Sequence, residues 1–222
     1  LVGSEMCIRD RIIGARGYGR EIYNFAIDSK GYGTEFTVKG YLDDKVSALD
    51  GFENYPPIIG PVESYEVQPD DVFICALGEV KYKIKYCQMI LNKGGEFINL
   101  ISNRAYIGMN VKMGNGCIVC PDARIHCDIT IGNFVTIQPM AIIGHDVKIG
   151  DWSHINALAD CGGASVLGEG VTLHTTSFIC PKSVIGEYAT VGAGSVVLRR
   201  VKAGDTVFGV PAKPILVPKI KK

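Results

Sequence analysis

The chain has 222 residues, about one and a half typical domains, so one large or two modest domains fit and a many-module array does not. Its 23 Lys and Arg balance 23 Asp and Glu, and zero net charge gives no global field to gather nucleic acid or an anionic membrane surface. Hydrophobic residues at 47% with 21% charged exclude a disordered polymer, and no apolar run approaches the roughly 20 residues of a bilayer span, so a soluble globular protein is expected.

Leu1–Asp10, LVGSEMCIRD, resembles the in-frame translation of a transposon-derived sequencing adapter. Residues 1–11 are therefore set aside from functional reasoning, and the native start is expected to be missing. The plainer alternative is a natural first strand through Met6, Cys7 and Ile8. No Lys/Arg-rich segment leads into an apolar stretch and a small-residue cleavage site, and a cytoplasmic location is expected.

Beyond this segment the sequence predicts a short strand at Ile12 and Ile13, a glycine turn, and a helix from Arg20 to Ile27. A strand near Thr37–Leu42, a Pro-rich connection at Tyr55-Pro56-Pro57 and an apolar strand Val72–Leu77 follow. A helix from about Lys81 to Lys93 and a strand Phe97–Ile101 complete residues 12–100. Strands alternating with helices imply a small parallel α/β sheet. The turn, Gly14-Ala-Arg-Gly17-Tyr-Gly19, has the order GxxGxG rather than the GxGxxG dinucleotide fingerprint. After a strand and before a helix, its backbone N–H groups and the helix dipole favour a phosphate. Asp43 and Asp44 end the next strand, where a carboxylate commonly meets a ribose hydroxyl. A tight turn and a solvated acidic pair explain these residues equally well on local grounds.

From Ile101 to Val197 every sixth residue is apolar, and the residue four places after each of these, from Ala105 to Val201, is small or β-branched. Gly follows the apolar residue at nine positions, among them Gly108, Gly132, Gly144 and Gly162, where chain reversal between short strands would favour it. A helix needs apolar residues every three to four positions, and a hairpin sheet would not keep one register for 102 residues. A parallel β-helix does: three hexapeptides make a triangular coil of 18 residues, giving nearly six coils and a prism roughly 27 Å tall.

Seven scattered cysteines remain once Cys7 is set aside, an odd number that argues against a disulfide framework. Cys117-Ile-Val-Cys120 is a lone CxxC whose register makes Cys117 an inward small residue. His126 and His145 fall near one prism edge, whereas His154 and His174 fall near another, so one chain cannot join the two pairs. A three-histidine metal site shared between subunits is the minor reading. His145 follows Gly144 and precedes Asp146, and Gly163 lies 18 residues on, one coil above. A histidine there can accept a proton from an attacking amine or hydroxyl, and a Cβ-free backbone N–H can approach an oxyanion. In a regular strand Asp146 would point away from His145, so their pairing requires a corner. The plain alternative is an exposed corner histidine beneath a glycine kept by the repeat.

Gly14-Ala-Arg-Gly-Tyr-Gly19, Tyr41-Leu-Asp-Asp44, Gly144-His-Asp-Val147, Val191-Gly-Ala-Gly-Ser-Val-Val197 and Gly209-Val-Pro-Ala-Lys213 together resemble the sialic acid O-acetyltransferase and UDP-amino-sugar N-acetyltransferase family. The resemblance covers nearly everything from Ile12 onward. It implies an α/β Rossmann-like sugar-nucleotide-binding domain over 12–100, an all-β left-handed parallel β-helix over 101–202, and a carboxyl-terminal loop and tail over 203–222. It further implies a homotrimer that transfers acetyl from acetyl-CoA, without a metal, to an amino or hydroxyl group of a sugar or sugar nucleotide in surface-glycan biosynthesis. No nucleic-acid partner and no membrane insertion are expected.

By position, the resemblance makes His145 the general base, Asp146 the acid that raises its basicity and Gly163 the oxyanion donor. His154, Thr175 and Ala193 line the acetyl-CoA cleft, and the Gly209-Val-Pro-Ala loop lies near the coenzyme's nucleotide end. Arg16, Gly17, Tyr18, Asp43, Asp44 and Gly78 match the sugar-nucleotide pocket. Tyr18 departs from the family, where His is common, and leaves the sugar open. Lys213, Lys219, Lys221 and Lys222 would either meet the coenzyme 3′-phosphate or form a frayed basic tail. Two other readings remain: a serine or free-sugar O-acetyltransferase on the same scaffold, and a catalytically silent sugar-nucleotide-binding trimer.

Overall fold

The computed structural model describes residues 8–215. Residues 1–7 of the set-aside segment, and Lys219, Lys221 and Lys222, lie outside the described residues. The chain divides into two compact units, Leu1–Asn103 and Arg104–Lys222.

The first unit holds β1 (Ile8–Ile13), α1 (Gly17–Ile27), β2 (Phe36–Leu42), β3 (Ile58–Gly60), β4 (Asp71–Cys75), α2 (Val80–Asn92), β5 (Glu96–Phe97) and β6 (Leu100–Ile101). Five of the strands form a parallel sheet in the order β3-β2-β1-β4-β5. Parallel neighbours need crossover connections, which α1 and α2 supply, and the result is a Rossmann-like domain. Ile12, Ile13, Phe73 and Ile74 fill the sheet, while α1 turns Ile22 and Ala26 inward at helical spacing.

The strand expected at Ile12 and Ile13 begins earlier, at Ile8, so part of the set-aside segment runs through the middle of the sheet. Charged residues hid it: Arg11 is buried against Asp71 at 3.1 Å and donates to the Tyr65 hydroxyl at 3.2 Å. Asp10, fully buried, has no hydrogen-bond partner for either carboxylate oxygen. The short strand β3 was not foreseen behind Pro56 and Pro57, and the strand expected over Phe97–Ile101 breaks into β5 and β6.

The second unit consists almost wholly of two-residue strands paired in parallel with strands eighteen residues before and after. Arg124–Ile125 pairs with Tyr106–Ile107 and Ile142–Ile143, Thr130–Ile131 with Lys112–Met113 and Lys148–Ile149, and Thr136–Ile137 with Ile118–Val119 and His154–Ile155. Three sheets wind into a left-handed parallel β-helix, and every sixth residue from Val119 to Val197 is buried in it. The small positions, such as Ala141, Val147, Ser165 and Ala189, are buried as well, because only a short side chain fits where the chain turns a corner.

The turning residue is not the glycine that follows the apolar position. Left-handed backbone falls two places later, at Asp128, Phe134, Met140, Asp146, Trp152 and Leu158, with φ between 55° and 63°. The glycines serve coil stacking instead: a Cβ on Gly150 would stand 2.6 Å from Glu169 N, and one on Gly132 would stand 2.7 Å from Asp151 N. The corners are held by ladders between coils, as where Asn133 N donates to Asp151 at 2.8 Å and the Phe134 and Trp152 rings stack at 4.2 Å. Near the end the register loses two residues. Val201, expected at a small position, pairs beside Ile185, and Thr206 pairs with Thr190. No helix among the described residues is long and apolar enough to cross a membrane.

Two outcomes test this architecture. Gly150→Ala should cost about 1–3 kcal/mol of stability in denaturant unfolding, because its methyl group enters the next coil's backbone. Burial pushes Asp10 up to about 8, so the folded state favours its protonated form; the stability this contributes is present below about pH 4 and is lost as pH rises through 8. Asp10→Val should therefore raise the thermal midpoint by a margin that grows between those two limits, and a pH-independent margin would contradict the assignment.

Candidate functional site

His145, Asp146 and Gly163 come together at one edge of the prism. Asp146 takes the left-handed corner conformation, φ 60°, and so turns its carboxylate back beside the preceding side chain. His145 Nδ1 lies 2.7 Å from Asp146 Oδ2, the pairing that strand alternation alone would forbid. Both side chains are exposed, at 66% and 61%. The other ring nitrogen faces the coil above: a Cβ on Gly163 would fall 2.5 Å from His145 Nε2. Only glycine leaves room for the imidazole in this position. Ala164 N donates to His145 O at 2.7 Å and Gly162 N to Ile179 O at 2.8 Å, while the Gly163 N–H between them has no carbonyl partner among the described residues. An aligned imidazole and an uncommitted amide on one exposed edge can take a proton and hold an oxyanion.

Cys127, read as packing from the sequence, is instead partly exposed at this same edge, one coil below His145. Its thiol hydrogen-bonds the Asp128 carboxylate, which pushes the thiol up and makes it a poor nucleophile. Asp128 itself is held below the usual carboxylate range by the Asn110 amide, then by that thiol. Sequence reasoning missed Asn110 and Asp128, although both stand in the eighteen-residue register with Asp146.

Thr175 and Ala193 stack eighteen residues apart at a different edge, where Gly194 N donates to Thr175 O at 3.0 Å. Both are exposed and small, which leaves that edge open. His154 does not join them at an edge with His174, as its phase suggested. It lies within the strand His154–Ile155, 2% exposed, with Nε2 3.0 Å from Gln138 Nε2. His126 is exposed near the His145 edge, its ring edge-on to Tyr106. No group of three or more His, Cys, Asp or Glu among the described residues is placed to hold a metal ion.

In the first unit, β1 runs into Gly14 at φ 95°, and a Cβ on Gly19 would stand 1.9 Å from Gly14 O, so the turn folds back on itself as only glycine allows. Gly17 opens α1, and nothing lies within 4 Å of where its Cβ would be. The first turn of α1 thus presents open backbone N–H groups at the positive end of a helix dipole. Asp43 is buried and accepts hydrogen bonds from Ala15 N and Lys45 N, both at 2.9 Å. Asp44 is exposed and meets Arg16 Nη2 at 3.1 Å, while Asp43 stands 3.6 Å from the same nitrogen. A hydrogen bond with Asp43, then the Arg16 guanidinium, lowers Asp44 from its ordinary value. Tyr18 is half-buried in the first turn of α1, and Gly78 is exposed just after β4, beside β1 in the sheet. Arg16, Gly17, Asp43 and Asp44 thus form one cradle at the carboxyl ends of the strands, where ligands of open α/β sheets bind.

A β-helix with this edge, following a Rossmann-like domain with this cradle, defines a hexapeptide-repeat acyltransferase. Residues 11–90 match the family model of the PglD N-terminal domain. Beyond that domain the likeness is one of fold, and it extends over nearly the whole chain, to sugar N-acetyltransferases of the same two-part architecture. The acetyltransferase domain of PglB from Neisseria gonorrhoeae FA1090 is 25% identical and superposes with a TM-score of 0.85 over 94% of this chain and 100% of its own. PerB from Caulobacter crescentus, solved in complex with CoA and GDP-perosamine, is 25% identical with a TM-score of 0.83 over 93% of this chain and 96% of its own. WeeI from Acinetobacter baumannii AYE shares the fold at 22% identity, with a TM-score of 0.71 over 93% of this chain and 99% of its own. No curated protein matches the chain.

The cradle carries its own test. Asp43→Ala leaves the buried Ala15 N–H and the part-buried Lys45 N–H without an acceptor and should cost the first unit roughly 2 kcal/mol in denaturant unfolding, whereas removal of the exposed Asp44 carboxylate should cost little.

Proposed function

We propose that the protein transfers an acetyl group from acetyl-CoA to the amino group of a nucleotide-linked sugar, with His145 as general base. The observation that carries this reading is the alignment of His145 between Asp146 and Gly163, with Nδ1 engaged 2.7 Å from the Asp146 carboxylate and Nε2 directed at the Gly163 backbone. An amine acceptor is supported by the GDP-perosamine complex of PerB, and acetyl-CoA by a PglB acetyltransferase domain from Neisseria gonorrhoeae solved with acetyl coenzyme A.

In this mechanism the cradle of Arg16, Gly17, Asp43 and Asp44 holds the nucleotide, its open N–H groups facing the phosphates and its carboxylates the ribose. Tyr18 and Gly78 complete the pocket. The acceptor nitrogen attacks the thioester carbonyl carbon while His145 Nε2 takes its proton. Asp146 fixes the ring so that Nδ1 carries the other proton. The Gly163 N–H stabilises the oxyanion, the carbon–sulfur bond breaks as the oxyanion collapses, and the departing thiolate is protonated by the imidazolium. No acyl-enzyme forms.

His154, Thr175 and Ala193 are assigned to the acetyl-CoA cleft. Thr175 and Ala193 mark an edge of the prism other than that of His145, so a cleft that uses both edges takes one from each of two subunits. A homotrimer of parallel prisms supplies three such clefts. With acetyl-CoA and a sugar nucleotide as its substrates, the proposed reaction would take place in the cytoplasm.

His145→Ala should lower kcat by about 10²–10⁴-fold, measured as CoA thiol release with a panel of nucleotide-linked amino sugars, and should leave KM for acetyl-CoA nearly unchanged. Gly163→Ala should lose activity to a similar extent because its methyl group displaces the imidazole. Thiol release at the wild-type rate from His145→Ala would overturn the mechanism.

A further inference from the structure

Asp128 has no part in the mechanism above, yet it occupies the corner position of Asp146 one coil lower. Asn110, Asp128 and Asp146 succeed one another at intervals of eighteen residues, all in left-handed backbone with φ of 59°, 61° and 60°. The coils are tied together at this edge, with Asp128 N donating to Met109 O at 3.0 Å and Asp146 N to Cys127 O at 3.2 Å. Asn110 Nδ2 donates to Asp128 Oδ1 at 2.8 Å, so the carboxylate is clamped from below. Neighbouring strands in such a stack are about 4.8 Å apart, which brings Asp128 within a Debye length of the His145 imidazole.

The groups that face His145 at this edge are few. Asp146 lies beside it, Asp128 and Cys127 stand on the coil below, and Gly163 and Ala164 on the coil above carry nothing that titrates. Lys182 is two coils above and His126 precedes Cys127. The Asn110 amide and the Cys127 thiol keep Asp128 ionised, and the His145 ring adds to that preference.

We propose that Asp128, clamped by Asn110, is a positioning residue that acts through His145: a second negative charge that stabilises the imidazolium formed when the base takes the acceptor's proton. The inference rests on His145 being that base. Asp146 spends its carboxylate on the Nδ1 hydrogen bond, which aligns the ring. Asp128 touches neither substrate and contributes only its field, about fivefold in rate for one charge at this spacing in a water-rich setting.

The test uses the full chain with acetyl-CoA and a nucleotide-linked amino sugar accepted by the wild type. Asp128→Asn should lower kcat about fivefold with both KM values within twofold, and Asp128→Glu should restore most of the loss. Asn110→Ala, which keeps the charge but frees it, should fall between. Added salt should lower kcat of the wild type more than that of Asp128→Asn, a difference that does not depend on any variant's stability. Asp128→Asn at wild-type kcat, or Asp128→Glu as slow as Asp128→Asn, would overturn the proposal while leaving the base assignment intact. Full activity in His145→Ala would instead remove the base assignment, and this inference with it.

Discussion

The stacking of one coil on the next at a single strand spacing governs the whole second unit. Every backbone ladder along the prism joins residues eighteen apart until the last turn, where the interval shortens to sixteen. At the corners that carry glycine, such as Gly132, Gly150 and Gly168, that spacing leaves no room for a Cβ, and at glycine and non-glycine corners alike the residue two places on takes left-handed backbone whatever its side chain. Phe134, Trp152 and Leu158 adopt φ values that such residues rarely take, because the hydrogen bonds to the coils above and below outweigh the local strain. His145 owes its setting to the same constraint: the corner swings Asp146 beside it, and the coil above stops at Gly163.

The first unit follows a different logic. Its parallel sheet is stabilised by side-chain burial on both faces, and its turns rather than its strands carry the polar chemistry. Asp43 illustrates the division. Its carboxylate is used up on the backbone of Ala15 and Lys45, so it shapes the loop, while Asp44 and Arg16 remain exposed. A buried carboxylate with two amide donors is a structural fixture, and an exposed arginine shared by two carboxylates is free to reorganise around an anion.

Much of this was legible in the sequence because burial in a triangular coil has a strict period. The apolar sixth residue and the small residue four places later locate the core from Val119 to Val197. The corners were not legible, since no residue type marks a conformation imposed by neighbouring coils, and glycine was assigned the turn although close coil packing requires it. The contraction before Val201 was equally hidden, for Val suits both the small and the apolar position. In the first unit, charged residues masked the start of β1 and two prolines masked β3. At the candidate site the stacking of His145 beneath Gly163 could be counted from the period. The pairing with Asp146 could not, because alternation along a strand places consecutive side chains on opposite faces, and the burial of His154 within a strand escaped a reading by phase alone.

The central claim, that this register builds an acyl-transfer site at the His145 edge, is tested most directly by a crystal structure of the protein with CoA and a nucleotide-linked amino sugar. The account predicts the acceptor nitrogen within hydrogen-bond reach of His145 Nε2, with the CoA sulfur beside it and the Gly163 N–H about 3 Å from where the thioester oxygen would sit. A coenzyme whose sulfur lies at another edge, away from the His145 imidazole, would contradict it.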